Sequence, residues 1–175
     1  MKAPGGRLIL WTGPKHSGKT TAAASLARRA RGEGFVVAGV LAPSVFAGAQ
    51  LTGFDVVDLR TSRREPLARL EESGERTVGP FRFTAEGLAL GAGSLSAAAT
   101  RGADLVVVDE FGPLELGGGG WRAPVDALVR EHAGVIVLVV REGLADRVRS
   151  LYASSAARTI RAADPGAPEF VIGLL

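Results

Sequence analysis

Cysteine is absent from this chain of 175 residues, and methionine and tyrosine occur once each. The lack of cysteine excludes disulfide bonds, cysteine-ligated zinc or iron–sulfur centres, and a thiol nucleophile. Lysine is scarce too, since 18 of the 21 basic residues are arginine. The arginines are scattered and the net charge is only +3, which does not indicate a basic surface for nucleic acid. We therefore expect no nucleic-acid partner, and no pattern in the sequence indicates a protein partner.

Long apolar runs are also lacking. The longest, Leu8–Trp11 and Ala133–Val140, are far shorter than the roughly 20 residues that a membrane-spanning helix requires. Apolar residues nevertheless make up 46% of the chain, which is enough for the buried core of a compact domain. We expect a single domain over residues 1–175, without membrane segments and located in the cytoplasm.

Apolar strands alternate with helices along the chain. Short continuous apolar runs predict strands at Arg7–Thr12, Phe35–Leu41, Asp104–Asp109, Gly134–Val140 and Phe170–Leu175. Helical spacing of apolar residues predicts helices over Gly18–Arg31, Ala85–Ala99 and Trp121–His132. This alternation is typical of an α/β sheet that is parallel at its centre. The glycine-rich, alternating segment Val45–Leu70 instead predicts antiparallel hairpins that extend the sheet.

The clearest motif is G-P-K-H-S-G-K-T, which matches the phosphate-binding pattern G-x-x-x-x-G-K-[ST]. It follows a predicted buried strand and opens a predicted helix, as the P-loop requires. Glycines let several backbone N–H groups point at phosphate oxygens, and the helix N-terminus adds partial positive charge. We expect Lys19 to reach the β- and γ-phosphates and the Thr20 hydroxyl to bind Mg²⁺. The predicted nucleotide-binding residues are Gly13, Pro14, Lys15, His16, Ser17, Gly18, Lys19, Thr20 and Thr21.

Two acids, Asp109 and Glu110, end the apolar strand that contains Leu105–Val108. Buried strands carry carboxylates where they emerge at the carboxyl edge of the sheet, which is where open α/β sheets bind ligands. Asp109 therefore suits a magnesium role together with Thr20, and Glu110 is placed to polarise an attacking water. We take Glu110 and Lys19 as candidate catalytic residues.

Arg141 directly follows Gly134–Val140, the most apolar predicted strand. A strand this apolar is expected at the centre of the sheet, beside the Asp109 strand, so that Arg141 emerges at the ligand edge. A guanidinium there is a third candidate catalytic group, because it would stabilise charge on the γ-phosphate. The alternative is a surface arginine that pairs with Glu142 or is solvated.

Three stretches resemble the THEP1-type P-loop nucleoside-triphosphatase family: GPKHSGKTT at 13–21, TGFDVVDL at 52–59 and VVVDEFGPLEL at 106–116. The resemblance covers most of the chain, and the second and third stretches are more specific than the P-loop. It implies a RecA-like P-loop fold, a three-layer α/β sandwich with a mainly parallel central sheet and a β-hairpin extension. It also implies hydrolysis of a nucleoside triphosphate such as ATP or GTP with Mg²⁺.

The chain departs from the family pattern at three places. Pro43-Ser44-Val45-Phe46 stands where the family has a threonine, an acid and an arginine, and Pro113 stands at an often basic position. The asparagine–arginine–aspartate run of the family is also absent before Leu175. Together with the preference for arginine over lysine, these departures favour a divergent bacterial branch.

Three functions fit these motifs. The first is a slow magnesium-dependent nucleoside-triphosphatase with broad base preference, since no N-x-x-D run marks a base-binding loop. The second is a small-molecule kinase that uses the same phosphate site, with Arg60–Arg64 as an arginine-rich lid. The third is a nucleotide-dependent adaptor with negligible turnover.

Overall fold

The computed structural model describes residues 7–70 and 79–175 of the chain. Nine strands within these residues form one sheet: β1 (Arg7–Gly13), β2 (Val37–Leu41), β3 (Ser44–Ala47), β4 (Gln50–Asp58), β5 (Arg64–Leu70), β6 (Phe81–Phe83), β7 (Leu105–Asp109), β8 (Val135–Arg141) and β9 (Arg158–Arg161). Their order is β6-β5-β4-β2-β7-β8-β1-β9, and β3 pairs with β4 outside this path.

The strands β1, β8, β7 and β2 are parallel, as predicted for the centre of the sheet, and β9 continues the parallel part at the edge. Every residue of β2 and β7 is buried, because helices cover both faces of a parallel sheet. The carboxyl ends meet at one edge, where Gly13 pairs with Arg141 and Asp109 pairs with Val139. The expected adjacency of the Arg141 strand and the Asp109 strand is therefore confirmed.

The remaining strands form the antiparallel extension. Strand β4 runs antiparallel to β2 and pairs with both β3 and β5, and β6 closes this side of the sheet. The hairpins predicted over Val45–Leu70 are thus confirmed. With β3 to β6, the extension supplies four of the nine strands, more than the predicted hairpins alone.

Helices cover the two faces of the sheet in three layers. They are α1 (Lys19–Gly32), α2 (Ala85–Ser94), α3 (Ala97–Thr100), α4 (Pro113–Leu116), α5 (Arg122–Glu131), α6 (Ala145–Leu151) and α7 (Ala167–Ile172). One apolar core joins the sheet to α1 and α7, and the other joins it to α5 and α6 with Trp121 and Tyr152. None of the helices in the described residues is long and apolar enough to cross a membrane.

The prediction of a last strand over Phe170–Leu175 is wrong, because α7 covers the first half of this segment and turns follow it. A short apolar run fits a buried strand or one face of a helix, so apolar content alone does not decide. Pro168 fits the first turn of α7, where no backbone N–H is needed, and Val171 is fully buried. The sheet edge beside β1 is filled instead by β9, a strand that no apolar run marks.

The predicted helix Ala85–Ala99 is divided into α2 and α3. Leu95 follows α2 as its C-cap residue and is buried in the core. The hydroxyl of Ser96 then accepts a hydrogen bond from the backbone N–H of Ala99 at 3.2 Å and caps α3. The break therefore follows from a local capping bond, which helical spacing does not reveal.

The glycines of α2 allow close packing. A β-carbon at Gly87 would overlap the carbonyl oxygen of Pro66, and one at Gly91 would overlap the indole ring of Trp121. A β-carbon at Gly93, on the same helix, would meet no atom within 4 Å. Two of the three glycines are thus required for packing, which explains why this helix contains glycine although glycine disfavours helix formation.

We expect Gly91→Ala to lower the free energy of unfolding by about 1–3 kcal/mol, because the new methyl group overpacks the core against Trp121. Gly93→Ala is the matched control and should leave stability unchanged or raise it by up to about 1 kcal/mol, since alanine favours the helix. Urea unfolding followed by far-UV circular dichroism measures both. Equal stability of the two variants would contradict the packing assigned to Gly91.

Candidate active site

The P-loop lies between β1 and α1, as predicted. Gly13 ends β1, and Gly18 precedes α1 with a φ of 81°, a left-handed conformation that suits glycine. Residues 14–18 are exposed, whereas Lys19 is buried and Thr20 is half-buried. The loop therefore presents its backbone to solvent at the N-terminus of α1, as phosphate binding requires.

Lys19 is directed back over the loop, and its Nζ donates a hydrogen bond to the carbonyl oxygen of Pro14 at 2.7 Å. Burial lowers the pKa of Lys19 from its ordinary value, Glu110 and Asp109 oppose this change, and Arg141 reinforces it. Two carboxylates and two cations thus lie near one another beside the loop. Lys15 and His16, by contrast, are exposed.

Asp109 is fully buried at the end of β7. Its Oδ2 accepts a hydrogen bond from the backbone N–H of Ala42, at 3.1 Å, just after β2. Its Oδ1 is buried and makes no hydrogen bond of ordinary geometry to any residue in 7–70 or 79–175. Burial raises the pKa of Asp109 to about 7, although Ala42, the nearby Thr20 hydroxyl and Lys19 favour the ionised form. The structure thus brings together the two predicted magnesium ligands.

Glu110 and Arg141 form an ion pair at the same edge. The Nε of Arg141 lies 2.9 Å from Oε1 of Glu110, and both side chains are about one third exposed. Glu142, the alternative partner, instead pairs with Arg161 at 3.3 Å. The structure therefore places Arg141 beside Glu110 and Lys19 and not beside Glu142.

Glu115 stabilises the loop after the acid pair. Its carboxylate accepts hydrogen bonds from the backbone N–H of Gly112 at 3.0 Å and of Trp121 at 3.3 Å. Burial raises the pKa of Glu115, and these hydrogen bonds act in the opposite direction. The motif analysis did not predict this anchor, although an acid three residues after Gly112 and at the start of a helix is a signal for capping.

The arginine-rich segment Arg60–Arg64 lies at the opposite edge of the sheet. The guanidinium of Arg60 donates to the carbonyls of Ala99 and Arg101, at 2.8 and 3.1 Å, just before β7 begins. The ligand edge is at the other end of β7, where Asp109 lies. The interpretation of Arg60–Arg64 as a lid over the phosphates is therefore wrong.

A P-loop followed by a helix, with a buried aspartate opposite its threonine, defines a P-loop nucleotide-binding protein. The chain belongs to the NTPase family, because the model of that family matches residues 8–161. This match covers all three motif stretches, which lie within residues 13–116.

Curated relatives confirm the THEP1-type resemblance, and solved structures share the fold. The chain is 36% identical over 141 residues to the nucleoside-triphosphatase THEP1 of Methanothermobacter thermautotrophicus, covering 78% of each chain. It is 34% identical over 131 residues to that of Methanopyrus kandleri, covering 75% of this chain and 72% of the relative. The solution structure of a human cancer-related nucleoside triphosphatase has a TM-score of 0.70 at 22% identity, over 94% of this chain and 93% of that one. The crystal structure of THEP1 from Aquifex aeolicus has the same TM-score at 19% identity, over 97% and 96%.

Proposed function

We propose that this protein hydrolyses nucleoside triphosphates to diphosphates and phosphate with Mg²⁺, slowly and with little preference among the bases. Hydrolysis of nucleoside triphosphates is the activity for which the family and the relatives are named. The observation that carries the proposal is the convergence of the P-loop with Asp109 and Glu110 at one sheet edge.

The oxygens around Asp109 fit a magnesium ion. Oδ1 of Asp109 is a buried acceptor without a described hydrogen-bond partner, and the Thr20 hydroxyl lies beside the carboxylate. Mg²⁺ needs few protein ligands, since waters and phosphate oxygens complete its octahedron. Accordingly, residues 7–70 and 79–175 contain no group of three or more acids or histidines that could hold a metal ion. When bound, the ion supplies positive charge to the phosphates.

Glu110 is the candidate base for the attacking water. Its carboxylate follows the buried Asp109 directly and is about one third exposed, so it combines a fixed position with access to water. Phe111 fixes the backbone on the other side of Glu110. Its side chain is fully buried, and its backbone N–H donates a hydrogen bond to the carbonyl oxygen of Val139 at 2.9 Å. The ion pair with Arg141 engages only Oε1 of Glu110, and a carboxylate has a second oxygen, Oε2, that can accept a proton from water.

Phosphate release from ATP, GTP, CTP and UTP tests the proposed function. We expect turnover of all four, dependent on Mg²⁺ and abolished by EDTA. Values of kcat/KM should differ by less than about 100-fold between bases, since the recognisable contacts are all to phosphate. A larger preference for one base would refute broad specificity, and tight ATP binding without phosphate release would identify a nucleotide-dependent adaptor instead.

Arg141 is proposed to leave Glu110 and bind the γ-phosphate as charge develops there. Arg141→Ala should therefore lower kcat at least about tenfold, which corresponds to about 1.4 kcal/mol, with little change in ADP affinity. Arg63→Ala is the matched control, because Arg63 pairs with Glu65 on the antiparallel extension, away from the P-loop. Single-turnover phosphate release and calorimetry with ADP measure the two quantities, and wild-type turnover by Arg141→Ala would remove Arg141 from the mechanism.

A further inference from the structure

An apolar pocket opens beside the candidate active site. Its walls come from the antiparallel extension, from α2 and from the loop that follows Glu110. The apolar side chains that line it are Phe54, Leu67, Phe83, Leu88, Leu114 and Trp121.

The polar end of the same pocket is the catalytic edge. Thr20, Asp109, Glu110 and Arg141 line it together with the apolar walls. A molecule whose apolar part fills the pocket would therefore place its polar end at Glu110, where the attacking water of hydrolysis would stand.

The pocket is preformed by specific contacts. The indole N–H of Trp121 donates to the carbonyl oxygen of Leu88 at 3.2 Å, and the indole ring lies against Gly91. The neighbouring Glu115 accepts the backbone N–H of Trp121. The ring is thus held on two sides, so the pocket requires little ordering when a ligand enters.

Hydrolysis alone does not explain these walls. Water and phosphates gain nothing from aromatic and leucine side chains, and Phe54, Phe83, Leu88 and Leu114 remain only partly buried. Concave sites with apolar walls and a few convergent polar groups are typical of binding sites for small organic molecules. The pocket opens at Glu110, where the γ-phosphate is expected, whereas the base of a nucleotide is attached at the other end of the triphosphate. The walls are therefore placed to contact a second ligand besides the nucleotide.

We propose that this pocket holds the apolar body of a small alcohol, which competes with water as acceptor of the γ-phosphoryl group. The inference rests on the proposed function, because it uses the same nucleotide site and the same base. The alcohol oxygen forms a bond to the γ-phosphorus, and its proton passes to the carboxylate of Glu110. The bond between the γ-phosphorus and the β–γ bridging oxygen breaks, and the nucleoside diphosphate leaves with that electron pair. The products are a phosphate monoester and a nucleoside diphosphate.

Benzyl alcohol and glycerol serve as probes, since both carry a primary hydroxyl but only the first has an apolar body. Each is added to the protein with Mg-ATP, and phosphorus NMR measures the ratio of alkyl phosphate to inorganic phosphate. At equal alcohol concentrations, we expect the ratio of alkyl phosphate to inorganic phosphate to be at least about tenfold higher with benzyl alcohol than with glycerol. Burial of an apolar group of this size is expected to have an effect on this scale. Equal ratios for the two alcohols, or no benzyl phosphate, would overturn the proposal.

Two leucines of α2 provide a matched pair of variants. Leu88 lines the apolar pocket, whereas Leu90 is partly buried on the same helix but does not line it. Leu88→Gln should abolish the preference for benzyl alcohol, and Leu90→Gln should retain it. Leu114→Gln, in α4, repeats the test if Leu88→Gln does not fold. Equal preferences in the pocket variant and in Leu90→Gln would refute the assignment of the pocket.

Phosphate release is also measured without added alcohol, so that failure of this inference can be distinguished from failure of the proposed function. Release of phosphate from ATP without any alkyl phosphate leaves hydrolysis intact and overturns the acceptor pocket. Formation of benzyl phosphate without hydrolysis in water alone supports the pocket and instead refutes the hydrolase.

Discussion

Glu110→Gln is expected to bind Mg-ATP with nearly wild-type affinity and to lose about 100-fold or more in turnover, the scale of removing a general base. Glutamine has the same shape and keeps an oxygen that can accept the hydrogen bond from Nε of Arg141, now at 2.9 Å from Glu110. It cannot take a proton from water. Binding and turnover should therefore separate, which distinguishes a catalytic role from a structural one.

Calorimetric titration with Mg-ATP and phosphate release under single-turnover conditions measure the two properties of Glu110→Gln. Glu142→Gln is the matched control, because Glu142 is an exposed acid close in sequence to Arg141 and pairs with Arg161. That variant should turn over like wild type.

If Glu110→Gln hydrolysed ATP at the wild-type rate, another acid would have to act as the base. Asp55 is a poor replacement, because Arg64 and Arg69 both pair with it, at 2.6 and 2.5 Å. Glu115 is buried and already accepts two backbone hydrogen bonds. The structure thus leaves Glu110 as the carboxylate best placed for this chemistry among these three.

Lys19→Ala is expected to lower the affinity for Mg-ATP by about 10- to 150-fold, because a charged hydrogen bond of this kind contributes about 1.5–3 kcal/mol. Lys19 is buried and lies close to Glu110 and Asp109, so alanine also leaves these two carboxylates without a nearby cation from the loop. Turnover should fall with binding, since the same ammonium group is proposed to contact the β- and γ-phosphates.

Lys15→Ala is the matched control for Lys19→Ala. Lys15 lies in the same loop and is predicted to contribute through its backbone, which alanine keeps. Its side chain is exposed, and we expect its loss to change affinity by less than about threefold, as is typical of solvated surface charges. Calorimetry with Mg-ATP compares the two variants, and circular dichroism verifies that both are folded. Unchanged affinity in a folded Lys19→Ala protein would refute the P-loop assignment.

Local patterns in the sequence were sufficient to predict the P-loop and its place between a buried strand and a helix. The motif from Gly13 to Thr20 specifies its own turn and helix start, because glycine conformations and backbone N–H groups act within a few residues. The buried parallel strands were equally predictable, since continuous apolar runs must be covered on both faces. From these two facts, Asp109 and Glu110 follow as acids at the edge where the P-loop lies.

Only the tertiary structure decided how these acids are held and what surrounds them. Ala42 binds Asp109 from 67 residues away, and Arg141 reaches Glu110 across 31 residues, so neither partner can be identified from spacing along the chain. The segment Arg60–Arg64 has the composition of a lid, but it follows β4, which runs antiparallel to β2. It therefore lies at the edge of the sheet opposite to the P-loop. The apolar pocket is likewise assembled from strands, a helix and a loop that are distant in sequence. Sequence periodicity reports which residues are apolar within one element, whereas a pocket depends on which elements meet, and that is set by packing of the whole sheet.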